Sequence, residues 1–312
     1  MDELCDDTPI FRIFNFYDLI NTLSTGTIRL SQVSRMEDPN ELFGVYFDVF
    51  RSAFGPQSAD HVDQAQAQFR NAQSHYYMTC WTRVSDNIAV WSLYSPQKDA
   101  IQVQTTYGRL RKALNEHYNT CPNALAYKLE PNDPTDLFLP PEIGPVNYVD
   151  FQEVYSKLKR QCAKYYIEKE RYLSSLIESG EDLGKSTSKW ADIDGMVRAR
   201  IFEEPRLGGP LLKDFRYQHE QEMRFVLSLR RRDGRTKEQY EAHPLAGLDE
   251  PSRHPRPEDC PPNIFVPFAP SNFTNFQVDG RIEDYKFDAI SYALAKFGIE
   301  ATKSSAFQEF EI

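Results

Sequence analysis

The sequence predicts an α+β protein with a mixed or antiparallel β core and a helical insertion at about residues 151–206. Three observations lead to that class. Strand-like and helix-like segments are interspersed along the chain, which fits neither an all-α bundle nor an all-β sandwich. "YQHEQEMRFVLSL" (Tyr217–Leu229) alternates apolar and polar residues with the two-residue period of a strand. Residues 151–177 instead repeat apolar side chains at helical spacing. The whole chain, residues 1–312, reads as one domain carrying that insertion.

In order, Ile10–Phe16 is a short strand with Phe11 and Ile13 on one face and Arg12 and Phe14 on the other. Asn15 is placed to cap a helix to about Leu23, and Gly26 suits its left-handed C-terminal position. Thr27–Ser31 is strand-like, the turn Met36–Glu41 follows, and a polar helix covers Ala59–Gln73. Tyr76–Thr82 is a buried strand by its β-rich composition. Ser85 or Asp86 caps a short helix that Pro96 ends. Ala100, Gln102 and Gln104 then alternate against Ile101, Val103 and Thr105, the pattern of a half-buried strand.

Tyr107–Tyr118 reads as helix, and a Pro-rich loop (Pro131–Pro141) leads into a strand over Pro145–Phe151. One long helix spans Phe151–Ile177, and a second runs from about Ser188 to Phe202. Residues 234–262 are charged and Pro-rich, an exposed loop. Asn263–Phe268 returns to strand, and Glu283–Gly298 is an amphipathic helix closed by Gly298.

Composition narrows the function classes. With 40% hydrophobic and 13% aromatic residues, the chain has ample apolar surface for a packed core. A net charge of −10 argues against broad electrostatic gripping of nucleic acid. Five cysteines without a Cys-x-x-Cys pair read as reduced thiols in a cytoplasmic protein. The acidic start "MDELCDDTPIF" lacks a secretory apolar run, and no stretch approaches the roughly 18 apolar residues of a membrane span. The expectation is a cytoplasmic protein without a membrane partner.

Chemistry concentrates in a few places. The six histidines form no metal-binding spacing, and no phosphate-loop or nucleophile-elbow motif is present, so no metal is expected. In the Tyr217–Leu229 strand, Met223, Phe225, Leu227 and Leu229 form a core face. Glu220, Glu222 and Arg224 share the other face, which is either solvated or lines a site. A fixed carboxylate stabilises the oxocarbenium-like sugar of glycosidic-bond cleavage, and a second orients or deprotonates the acceptor. In "WSLY", Trp91 and Tyr94 lie three apart around Ser92, either as an aromatic core contact or as the wall of a nucleotide pocket. "RRRDGR" (Arg230–Arg235) is a basic turn, either a solvated hairpin tip or a phosphate-facing patch.

Four segments in this order resemble the bacterial family labelled domain of unknown function twenty-nine seventy-one: "IFRIFNF" with "IRLSQVSRMEDPNE", "YYMTCWTRVSDNIAVWSLYS", "GPVNYVDF" and "LLKDFRYQHEQEMRFVL". The resemblance covers about residues 10–230, and the "WSLY" and "EQEMR" blocks are its specific part. It departs where Glu37 replaces the usual Asn before Asp-Pro, and where Asp99-Ala100 replaces a usual Gly. The family's arrangement is similar to that of ADP-ribosyltransferases, which implies an ADP-ribosyltransferase-like core using NAD. That likeness implies Arg12 on a phosphate of NAD, with Ser92 and Tyr94 in the middle segment and Tyr94 against nicotinamide. It implies Glu222 on the nicotinamide ribose and Glu220 for the acceptor, a protein or nucleic acid.

The expected function is a bacterial effector or toxin that cleaves NAD or transfers ADP-ribose, in phage defence. Two alternatives stay open. One is a metal-dependent nuclease using Glu220 and Glu222. The other is a non-catalytic module that binds a nucleotide or peptide and uses the Glu220/Glu222/Arg224 face structurally.

Overall fold

The computed structural model describes residues 4–36, 41–46, 67, 69–120, 136–138, 140–178, 209–231 and 260–307. The expected second helix at 188–202, nearly all of the loop at 234–262, and the basic turn beyond Arg231 lie outside the described residues. The α+β class holds, and the sheet is mostly antiparallel. The chain divides into two compact units.

The first unit comprises Met1–Glu41, Ala72–Val146 and Arg216–Ile312 and holds the large sheet. Its strands are β1 (Pro9–Phe14), β2 (Thr27–Gln32), β3 (Tyr76–Thr82), β4 (Ile101–Thr106), β5 (Asp136–Phe138) and β6 (Glu142–Pro145). A seventh strand, β7 (Asn147–Val149), and an eighth, β8 (Leu212–Asp214), belong to the second unit. The sheet of the first unit continues with β9 (Glu222–Arg231), β10 (Asn263–Pro267), β11 (Thr274–Val278) and β12 (Ala301–Lys303). Their order is β10-β2-β3-β1-β4-β11-β12, and β9 joins along β3, with β5 and β6 on its outer side. The expected strand over Pro145–Phe151 is thus two short strands: β6 pairs with β9, while β7 pairs with β8.

The core lies on one face of this sheet. Met223, Phe225, Leu227 and Leu229 of β9 are all fully buried there with Tyr77 and Trp81 of β3, as the alternation predicts. Strand β4 is covered more fully than its pattern implies, since Gln102 is as buried as Val103. Gln102 earns that position by accepting the Asp86 backbone N–H through its side-chain carbonyl.

Helix α1 (Phe16–Thr25) connects β1 to β2. Its cap is Asn15, whose side chain accepts the Asp18 N–H, and its end is Gly26 at φ 63°, a left-handed turn that favours glycine. Helix α2 (Ile88–Tyr94) is capped by Asn87 rather than by Ser85 or Asp86. Asp86 has another task. Its carboxylate accepts from Trp91 Nε1 at 3.0 Å, from Ser304 Oγ, and from both the N–H and Oγ of Ser305. Arg281, held by Asp279 at 2.7 Å, donates to the Trp91 and Ser95 carbonyls at the end of α2. The remaining helices here are α3 (Tyr107–Thr120) and the C-terminal Asp284–Ala295, followed by Gly298 at φ 72°.

In the second unit, Phe43, Tyr46, Phe69 and Phe151 form an aromatic cluster. Its long helix, Phe151–Glu178, matches the predicted span and buries Val154, Leu158 and Tyr165 on one stripe.

Burial pushes the Asp86 carboxyl up, but its hydrogen bonds from Ser304, Ser305 and Trp91 outweigh that and leave it below its usual 3.8. A depressed carboxylate contributes stability above its unfolded value and loses it as pH falls through the folded one. Asp86→Ala is therefore expected to cost about 2–3 kcal/mol at neutral pH, since it strands the buried Trp91 donor. The deficit should narrow below the usual 3.8, as read by urea unfolding at neutral and acid pH.

Candidate functional site

Strand β3 organises the site through its uneven edges. On one side β9 pairs with it along its whole length, from Tyr76 opposite Ser228 to Thr82 opposite Glu222. On the other side β2 pairs only at Tyr77 and Met78, and β1 only at Thr82. Between those two ladders, Thr79, Cys80 and Trp81 face a notch where β1 and β2 part. Arg12 of β1 fills it: Nη1 donates to Thr79 Oγ1, and the guanidinium carbon lies 4.6 Å from the Phe14 ring centroid.

Burial is the main influence on Arg12 and brings its pKa down to about 10; the Cys80 thiol, Arg29, Asp18 and the Tyr94 phenol also act on it. It remains charged at neutral pH. Among the described residues, no carboxylate lies within ion-pairing distance of Arg12. Trp81 adds a second donor in the same stretch, because its buried Nε1 has no hydrogen-bond partner among the described residues.

The opposite edge of β3 carries a very different arginine. Arg224 has no exposed surface; its Nε donates to Glu222 Oε1 at 2.9 Å, and its Nη2 pairs with Glu41 Oε1. Burial opposes its charge, but Glu222 and Glu41 overcome that and hold its proton more tightly than usual. Cys80, directly across from Arg224 in register, hydrogen-bonds Glu222. Burial first, and then Glu222, pushes the Cys80 thiol well up, so it stays protonated and donates.

The expected carboxylate face is corrected in two ways. Glu220 does not share the strand face of Glu222. It ends a 3₁₀ turn, Phe215–Glu220, and Gln221 at φ 42° breaks the chain before β9 begins. The Glu220 carbonyl accepts from Thr82 Oγ1 at 2.6 Å. The face is also not solvated, because Glu222 is 5% exposed and Arg224 is fully enclosed.

The "WSLY" residues divide as well. Trp91 is fully buried on Asp86 and belongs to the core. Ser92 and Tyr94 are on the outer side of α2, with Tyr94 about half exposed and within electrostatic reach of Arg12. Tyr94 and Cys80 both act electrostatically on Arg12, but the strand register places Arg12 with Thr79 and Val103 on the core face and Cys80 with Glu222 and Arg224 on the other.

Sequence reasoning missed Thr79, Cys80 and Glu41 as members of this cluster. Glu41 had a visible signal: it closes the acidic turn "MEDPNE", and a buried arginine on a core strand requires a carboxylate from elsewhere in the chain. Thr79 and Cys80 had none, since a threonine and a cysteine in an apolar strand read as packing. Among the described residues no group of three or more His, Cys, Asp and Glu side chains is set to hold a metal ion, and no helix is long and apolar enough to cross a membrane. No family model, curated protein or solved structure matches the chain.

Arg224→Met is expected to destabilise the protein by about 3–5 kcal/mol, because it leaves Glu222 and Glu41 facing each other without the cation. Chemical denaturation checks this. The double change Arg224→Met with Glu222→Leu should recover a large part of the loss, which would identify the stranded charge, rather than lost packing, as the cause.

Proposed function

We propose that this chain binds the phosphates of a dinucleotide at Arg12 and cleaves the nicotinamide–ribose bond of NAD, releasing nicotinamide and passing ADP-ribose to water or to another acceptor nucleophile. The observation that carries the reading is Arg12, a part-buried cation whose only hydrogen-bond partner among the described residues is a neutral threonine. A desolvated guanidinium lacking a carboxylate is matched by an anion from outside the chain, and its planar fork suits phosphate. Tyr94, half exposed beside it, offers a ring for a base and a phenol for a sugar or amide. Glu222, on the far side of Cys80, is the carboxylate assigned to the developing sugar cation.

Membership in the bacterial family labelled domain of unknown function twenty-nine seventy-one, an ADP-ribosyltransferase-like core, and the role of a cytoplasmic effector in phage defence are part of the same proposal. They are supported by the order of the Arg12, "WSLY" and "EQEMR" segments.

The enclosure of Glu222 by Arg224 favours a second reading, in which Arg12 captures a nucleotide and no bond is broken. The two separate in one experiment. Purified protein is incubated with NAD, with and without cell lysate, and free nicotinamide is followed by proton NMR. Glu222→Gln is expected to abolish release. Glu41→Gln, which weakens the same ion cluster from its other end, is expected to lower stability comparably yet retain release. Release by an active Glu222→Gln protein would sink the catalytic assignment. NAD-induced thermal stabilisation without release, lost in Arg12→Gln, would establish the binding reading instead.

A further inference from the structure

Helix α2 and the segment that follows β12 are held by the same two charges. At the start of α2, Asp86 Oδ1 accepts from Trp91 Nε1 and Ser304 Oγ, and its Oδ2 accepts from the N–H and Oγ of Ser305 at 3.1 and 2.8 Å. At the end of α2, Arg281 donates to the Trp91 and Ser95 carbonyls, and its guanidinium carbon lies 4.1 Å from the Phe307 ring centroid. Residues 304–307 thus form a strap tied at both ends of α2. Beyond Ser304 the strap buries little surface, since Ser305 is exposed and Ala306 and Phe307 are only partly covered. Helix α2 is seven residues long and buries only Val90 and Trp91, so its persistence depends on contacts from outside it.

We propose that this strap is releasable and that phosphorylation of Ser305 releases it, loosening α2 at the same time. The step transfers the γ-phosphoryl group of a nucleoside triphosphate to Ser305 Oγ, forming an O–P bond and giving up the nucleoside diphosphate and the hydroxyl proton. Ser305 is exposed, so a modifying enzyme can reach it. Its hydroxyl donates to Asp86 Oδ2, so the product sets a phosphate against that carboxylate and removes one of its donors. The two cations that flank the strap are already committed: Arg281 closes on Asp279 through Nε at 3.0 Å and Nη2 at 2.7 Å, and Lys303 closes on Asp284 at 2.6 Å. The repulsion at Asp86 is therefore left uncompensated. The inference is independent of the nucleotide reading, although α2 bears Ser92 and Tyr94 on its outer side.

Hydrogen exchange of the full chain, read by NMR with phosphoserine installed at position 305 during synthesis, tests the strap. The probes are the Trp91 and Ser95 amides, which donate to the Asn87 and Trp91 carbonyls. Phosphoserine is expected to speed their exchange by at least about tenfold, the scale of losing one hydrogen bond to a charged group, while the amides of β3 and β9 are unchanged. Ser305→Ala, which loses the hydroxyl and adds no charge, should speed them less. Asp86→Asn should change sign between the two forms. It should speed exchange in the unmodified chain, where an amide donor replaces the acceptor facing Ser305, and slow it in the phosphorylated chain, where the same amide donates to the phosphate. Protection of α2 that phosphoserine leaves intact, equal effects of phosphoserine and Ser305→Ala, or exchange that rises equally in β3 and β9 overturns the strap as a switch.

Discussion

Arg224 stands in β9 with no contact with water and two carboxylates on its guanidinium, one from its own strand and one from Glu41. Taking a cation out of water is unfavourable by several kcal/mol on the order seen for buried ions, so the fold must supply both anions wherever β9 is in place. That requirement fixes more than one side chain. It pins Glu41 to a strand 183 residues further along the chain, and it commits Glu222 at the first residue of β9. The Cys80 thiol completes the arrangement from the facing strand. An apolar substitute would pack as well, but it would not tell β9 which register to adopt against β3. A one-residue slip would move Arg224 onto the core face among Phe225 and Leu227.

The same strand, β3, meets the opposite condition on its other edge. There, β1 and β2 each pair with one end of β3 and leave its middle to a side chain rather than a backbone. Arg12 occupies that position because it is long enough to reach Thr79 and apolar enough along its stem to lie over Phe14. The helix between the two strands carries Asp18, which pairs with Arg29 of β2 at 2.7 Å.

Much of the frame could be read in advance because it follows from periodicity. The core face of β9, strand β3, the Asn15 cap, Gly26 and the long helix Phe151–Glu178 all announce themselves through spacing or a special backbone position. The errors share a different origin. Glu220 looked like a strand residue because alternation in sequence continues through Gln221, and nothing in a glutamine reveals a left-handed backbone. Asp86 looked like a cap because aspartate usually is one, whereas its partners Ser304 and Ser305 are far along the chain. In each case a tertiary contact overrode a sound local preference. The site suffered most, because apart from the Arg224–Glu222 pair within β9 its links join segments distant in sequence: Arg12 to Thr79, Arg224 to Glu41, and Cys80 to Glu222.

Two arginines therefore flank one strand with contrary electrostatics, and the contrast is informative. Arg224 shows that this fold can supply carboxylates to a buried guanidinium when stability demands it, and there its proton is bound more tightly than usual. Among the described residues Arg12 is left with a hydroxyl and an aromatic face, and burial lowers its pKa to about 10. A shift of that size reflects about 3 kcal/mol of differential interaction against the charged form. A structure that meets this demand at one edge of β3 and leaves it unmet at the other is under no pressure from folding to do so. Groups held against their ordinary preference gather where a ligand is to be received, since the ligand then restores what folding withheld. Arg12 is held in that way and Arg224 is not, and this contrast is what supports the phosphate site proposed for Arg12.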